Sequence, residues 1–142
     1  MVLHQTYSVE DANSRLPLVR SIVRDIVELK LDVLVRQQRL HELRERYPEL
    51  DEDSPYAEEV LQMEESLEGD EIRIDVFAAE LRQIGAELVD AESGLVEFMS
   101  QLSGQAIRLS WKPDESEVTF WRFETEAPAD RKPLLLTEQE AG

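Results

Sequence analysis

Apolar residues recur at steps of three and four along two long stretches of the chain, and this spacing decides most of the predicted architecture. In residues 8–47 the row is Val19, Ile22, Ile26, Leu29, Val33, Arg36, Leu40, Leu43 and Tyr47. In residues 54–91 it is Val60, Met63, Leu67, Asp70, Ile74, Phe77, Leu81, Ile84, Leu88 and Ala91. Each row is a heptad seam with a single charged member, the pattern of a coiled-coil-like helix pair. Ser8-Val9-Glu10-Asp11 resembles a capping box. Pro17, however, removes an interior N–H, so a kink or an effective start near Asn13 or Ser14 is expected. Tyr47-Pro48 ends the first helix, because the residue before proline disfavours the helical conformation. Ser54-Pro55 offers the second helix an N-cap followed by proline in its first turn, and Gly94 lies just beyond its end.

A short loop makes the two helices antiparallel, so their rows can be aligned. Setting Tyr47 against Val60 gives the layers Leu43–Met63, Leu40–Leu67, Arg36–Asp70, Val33–Ile74, Leu29–Phe77, Ile26–Leu81, Ile22–Ile84 and Val19–Leu88. The one polar residue of each row falls in the same layer. An Arg36–Asp70 ion pair inside the hairpin is therefore expected, fixing register more than adding stability, because desolvation offsets much of the attraction. A buried catalytic pair is the functional alternative. Off the seam lie Leu16, Val23, Val27, Leu31, Leu34 and Val35 on the first helix, and Val76, Ala78, Ala79, Ala86 and Val89 on the second stretch. Two helices cannot bury such second faces between themselves. These faces must cover the C-terminal segment, a second subunit, or both, and a homodimer with a four-helix arrangement is the economical expectation.

From Gly94 the period changes to two. Leu95–Phe98 reads as a short strand. In Ala106–Trp111, residues Ile107, Leu109 and Trp111 share one face. Residues 112–117 read as a turn. In Val118–Phe123, Val118 and Phe120 share one face while Thr119, Trp121 and Phe123 take the other. The fold class expected is α+β, mainly α. It is a long antiparallel helical hairpin followed by a small three-stranded antiparallel sheet, in one domain over 1–142, with an extended tail from 124. Both tryptophans fall in the sheet, as its core against the hairpin or as the walls of a pocket. Leu134-Leu-Leu136 can dock, and the last six residues are expected to fray.

Charge narrows the choice of partner. The net charge is −17 over 142 residues, with residues 48–75 alone carrying −11. So acidic a surface repels phosphate backbones, and direct nucleic-acid binding is not expected. A basic protein partner for residues 49–75 is a further possibility, set against the plainer reading of a solvated face. No apolar run approaches a membrane span and no leader is visible, so a cytoplasmic protein is the default expectation. The chain has no cysteine, which removes disulfides and thiolate chemistry. His41-Glu42-Leu43-Arg44-Glu45 lacks the second histidine of a zinc-protease helix. With only His4 and His41 present, no multi-histidine metal site can form in one chain. Gln38 stands where a di-iron bundle needs Glu three residues before His41. Glu64, Glu65, Glu68 and Glu71 could gather a hard cation, but a charged exposed face explains them more simply. No phosphate-cradling glycine loop exists, and Ser100, Ser103 and Ser110 have no histidine placed near them in sequence. No metal site is expected, and nothing names a cofactor.

Several segments carry a resemblance. Thr6-Tyr-Ser-Val-Glu-Asp-Ala-Asn13 with Leu16-Pro17, then Gly94-Leu-Val-Glu-Phe98, Leu109-Ser-Trp111, Glu115, Val118-Thr-Phe-Trp121 and Arg131-Lys-Pro-Leu134 are similar to the bacterial family catalogued as domain of unknown function 2203. The resemblance implies no activity, but it points to where family members are most alike. Those places are a Gly-Leu-Val-Asp-Phe-Pro strand, a Cys-Trp-Arg stretch followed by Gly-Glu, and a Trp-His pair. Here they read Glu97, Met99, Ser110-Trp-Lys112, Asp114-Glu115 and Trp121-Arg122. The family's Gly-Phe-Ala-Gly before the last arginine reads Ala127-Pro-Ala-Asp130. Arg122 cannot replace a histidine as a metal ligand, being cationic and donor-only.

Two functional readings follow. The first is a non-enzymatic, self-associating helical protein, a homodimer by preference, with an interaction surface on its aromatic sheet. The second is a small-molecule or metal-binding protein, or an enzyme, whose site is built from Glu97, Trp111, Glu115, Trp121, Arg122 and Arg131. In that reading carboxylates serve as base or ligand, arginines as anion clamps and tryptophans as walls.

Overall fold

The computed structural model describes residues 6–49 and 53–135. The first helix, α1, runs Val9–Arg46. Its capping box is complete: the Asp11 N–H donates to Ser8 Oγ at 3.0 Å, and the Ser8 N–H donates to the Asp11 carboxylate at 3.2 Å. This cap overrides the expected late start. Pro17 lies inside the helix and forfeits one N–H, a small loss on an element of 38 residues. The side chain of Asn13 also works outward, accepting the Val118 N–H at 2.6 Å.

The second helix, α2, runs Ala57–Gln83 and is shorter than expected at both ends. Ser54 builds a turn instead of a helix cap. Its hydroxyl accepts the Tyr56 N–H at 3.3 Å and its carbonyl accepts the Ala57 N–H at 3.2 Å. The far end stops at Gly85, which adopts φ +93°. A Cβ there would stand 2.3 Å from the Tyr7 ring, so both conformation and close approach require glycine. The residues expected to continue the helix to 91 form a strand instead. Leu88 therefore leaves the seam, and the Val19–Leu88 layer does not exist.

The sheet has five antiparallel strands, not three: β1 Ala86–Asp90, β2 Leu95–Leu102, β3 Gln105–Trp111, β4 Phe120–Phe123 and β5 Lys132–Pro133, paired in that order. β2 extends four residues past Phe98, and β4 starts at Phe120 instead of Val118. Irregular backbone before β4 separates two residues expected on one face. Val118 is buried in the core, while Phe120 pairs with Ser110 on the opposite side of the sheet.

Register assigns the faces. Val96, Phe98 and Ser100 of β2 stand with Ile107, Leu109 and Trp111 of β3 and with Trp121 and Phe123 of β4. This face joins Ala12, Leu16, Val19, Val23 and Ile26 of α1 and Leu81 of α2 in one apolar cluster, with Trp111, Phe98, Val19, Val23, Ile26 and Leu81 fully buried. Here α1 buries its seam and also Leu16 and Val23 beside it. Farther along, the hairpin extends as an arm in which seam residues such as Val33, Leu40, Leu43, Leu67 and Ile74 are buried. Its outward residues are not: Leu31 is 63% exposed and Val35 60%. Leu134 packs partly against the core and Leu135 is exposed. Leu136 and the final residues expected to fray lie outside the described residues. Among the described residues no helix is long and apolar enough to cross a membrane.

Candidate functional site

The sheet's second face begins with strand alternation. Glu87 of β1 pairs with Glu97 of β2, and Arg108 of β3 pairs with Arg122 of β4. Like charges directly opposite one another are unfavourable, and crossed ion pairs resolve both conflicts. Arg108 donates to Glu87 at 2.7 Å and lies 3.1 Å from Glu124. Arg122 grips Glu97 with both ends of its fork, Nε to Oε2 at 2.6 Å and Nη2 to Oε1 at 2.8 Å. This contact passes over β3 at Ser110, the register partner of Glu97, whose small side chain leaves room. Glu97 is only 2% exposed, so its full charge-assisted pairing meets a physical requirement. The remaining nitrogen of Arg122, Nη1, donates to the carbonyls of Phe123 and Glu124 at 3.3 Å and of Glu126 at 2.5 Å. The hydrogen bonds that Arg122 donates to Glu97 hold its pKa above the ordinary value, against the opposing effect of burial.

A second fork lies beside the first. Arg131 donates to Glu115 through both Nη atoms, with Nη1 at 3.0 Å, and to Ser110 Oγ at 3.3 Å. Its guanidinium also stacks over Phe120, 4.0 Å from the ring centre. Glu115 serves the turn before β4: its carboxylate accepts the Lys112 N–H and its carbonyl accepts the Trp111 indole N–H, both at 2.9 Å. From α1, Arg20 donates to the carbonyls of Pro113, Glu115 and Ser116. Lys132 binds Glu126 at 2.5 Å, and this bond holds the Glu126 carboxyl below the usual range.

Four of the six residues singled out in the sequence, Glu97, Glu115, Arg122 and Arg131, thus gather around Ser110. The rings of the other two do not join them, although the Trp111 indole N–H reaches the Glu115 carbonyl. Trp111 and Trp121 point through the sheet to the core, where they are 0% and 4% exposed, so they cannot wall a site on this face. Each carboxylate is engaged through both oxygens by its own arginine. The arrangement staples the 112–117 turn and the segment after β4 to the sheet, and it leaves neither carboxylate poised as a free base. Beside it an open hollow of about 800 Å³ is bordered by Tyr7, Arg82, Glu87, Glu97, Arg108 and Glu124. Sequence reasoning passed over Arg108 and Glu87. Arg108 shares the alternation of Ser110 and could have been placed, whereas Glu87 was hidden by assigning its strand to a helix.

Arg36 and Asp70 form the ion pair in the hairpin, each side chain 19% exposed. Arg36 also donates to Ser66 Oγ and sits 3.1 Å from Asp32. The Arg36 hydrogen bond holds the Asp70 carboxyl below its ordinary value. Among the described residues no three His, Cys, Asp or Glu side chains converge as metal ligands.

No curated protein and no solved structure matches the chain. A family profile described as an uncharacterized conserved protein matches residues 5–134, nearly the whole length. The span includes both helices, all five strands and the two arginine forks. The chain therefore belongs to the family catalogued as domain of unknown function 2203.

Proposed function

We propose that this protein is a self-associating helical module, in which the sheet anchors the hairpin and the arm of α1 and α2 meets other copies. The observation that carries the reading is the outward apolar set on the arm. Leu31 and Val35 of α1 are 63% and 60% exposed, and Leu61, Ile72 and Val76 of α2 are 55%, 57% and 53% exposed. Single exposed apolar residues are ordinary, but clusters on a two-helix projection favour association. The closed arginine–carboxylate pairs also support a structural reading of the sheet over a catalytic one. Sedimentation velocity of the full chain across a wide concentration range tests the proposal. The expected result is a species larger than the 16.4 kDa chain whose fraction grows with concentration. A single monomeric species throughout would contradict it.

The hollow of about 800 Å³ beside Arg108 favours a second reading, a small ligand carrying both positive and negative groups. Native mass spectrometry tests this. A retained extra mass lost in Arg108→Ala would support it, and a bare chain under gentle conditions would count against it.

A further inference from the structure

Of the two outward rows on the arm, α1 has the one suited to a second copy of the same helix. Leu31 and Val35 stand exposed, Leu34 is half-buried between them, and Val27, half-buried against the core, continues the row at steps of four and three, the spacing of a helix–helix seam. An open hollow of about 430 Å³ lies among Leu34, Val35, Gln38, Arg39 and Glu42, next to the protruding Leu31. The corresponding row on α2 is broken: Glu65 and Glu68 stand between Leu61 and Ile72, and neither has an ion-pair partner among the described residues. Two copies of α2 in contact would set these carboxylates against each other.

We propose that two copies pair through α1 alone, antiparallel, about a two-fold axis passing between Asp32 and Val33. This rests on the self-association reading and specifies its interface. The axis sets Leu31 against the partner's Leu34, so each large side chain enters the hollow of the other copy. It places Val27 by the partner's Gln38 and Arg24 beside the partner's Glu42. Among the described residues Arg24 has no ion-pair partner and Glu42 accepts only the Gln38 amide, at 3.3 Å, so neither is held in an ion pair there. A two-fold axis creates this pair twice. Neighbouring positions bring Glu28 near the partner's Gln38, and the seam meets no like-charged pair.

Sedimentation equilibrium of the full chain and its variants provides the test, with helicity by circular dichroism as the folding control. The expected wild-type species is a dimer. Leu31→Asp should weaken association by about a hundredfold or more, because it buries two unpaired carboxylates. Arg24→Glu and Glu42→Arg should each weaken it about fivefold. The double variant should return to within about twofold of the wild type, since the pair is restored with its charges exchanged. Ile72→Asp, on the opposite helix, should leave the dimer intact. A dimer indifferent to Leu31→Asp, or one broken by Ile72→Asp, would overturn this interface while leaving self-association standing. A monomer at every concentration would remove both.

Discussion

The two halves of the hairpin share one sequence pattern and meet different fates. At the base, α1 buries its seam against α2 and its second apolar set against the sheet, where Leu16 and Val23 are 4% and 0% exposed. On the arm the seam continues, but Leu31 and Val35, apolar positions of the same kind, stand in solvent at 63% and 60%. At the base the aromatic face is largely covered, with Trp111 and Trp121 buried and Phe123 partly so, although Leu18 on the flank of α1 stays 54% exposed. The arm is open, held by one seam, its polar layer, flanking ion pairs such as Arg39–Glu59 and Arg44–Glu64, and the Tyr47–Tyr56 stack. Amphipathic pattern alone states how many faces a helix offers, and the covering element decides which of them are satisfied.

The largest effect should come from the base. Trp111→Ala removes a side chain that is 0% exposed and should cost about 3–5 kcal/mol in urea unfolding. Glu97→Gln comes next, at about 3 kcal/mol, because Arg122 is left buried without its carboxylate. Loss of near-ultraviolet dichroism ahead of helicity would show that the sheet opens first. The arm's polar layer should matter less. Asp70→Asn should cost about 1 kcal/mol near neutral pH. The Arg36 bond lowers the folded-state pKa of Asp70 below its ordinary value of 3.8, so this contribution is present above that value and is lost as pH falls through the folded-state pKa. The stability difference between wild type and Asp70→Asn should therefore shrink in that acid range, and a difference constant with pH would deny the pair its role. Smallest of all, Leu31→Ala in dilute protein should change stability by less than about 0.5 kcal/mol. Val23→Ala, two turns earlier on the same helix, should cost about 2 kcal/mol. Equal costs at the two positions would erase the distinction between base and arm.

How much of this the sequence could disclose depends on the range of the interaction. The seam was legible because its cause is local spacing, and the shared polar layer of Arg36 and Asp70 followed from the short loop between the helices. The end of α2 was misread for a physical reason: Leu88 and Ala91 continue the three–four spacing by coincidence, while the turn is imposed by Gly85 packing under Tyr7. That contact joins residues 78 positions apart and leaves no periodic trace. β5, with only two residues, carries no pattern of its own. Of the candidate site, the acidic and basic members were identifiable as residues, but their pairing depends on strand register across β2, β3 and β4. Trp111 and Trp121 fall in the segments that carry the family resemblance, which suggests them as walls of a site; strand alternation turns them to the opposite face, as the alternative reading of a sheet core against the hairpin has it.

Amide hydrogen exchange at low and high protein concentration tests the contrast most directly, because association adds protection only where copies meet. The account predicts that amides of α1 around Val27–Gln38 exchange more slowly as concentration rises, while those around Val19 and Val23 at the base stay unchanged. Arm amides that exchange at the same rate at every concentration, as slowly as those of the base, would contradict it.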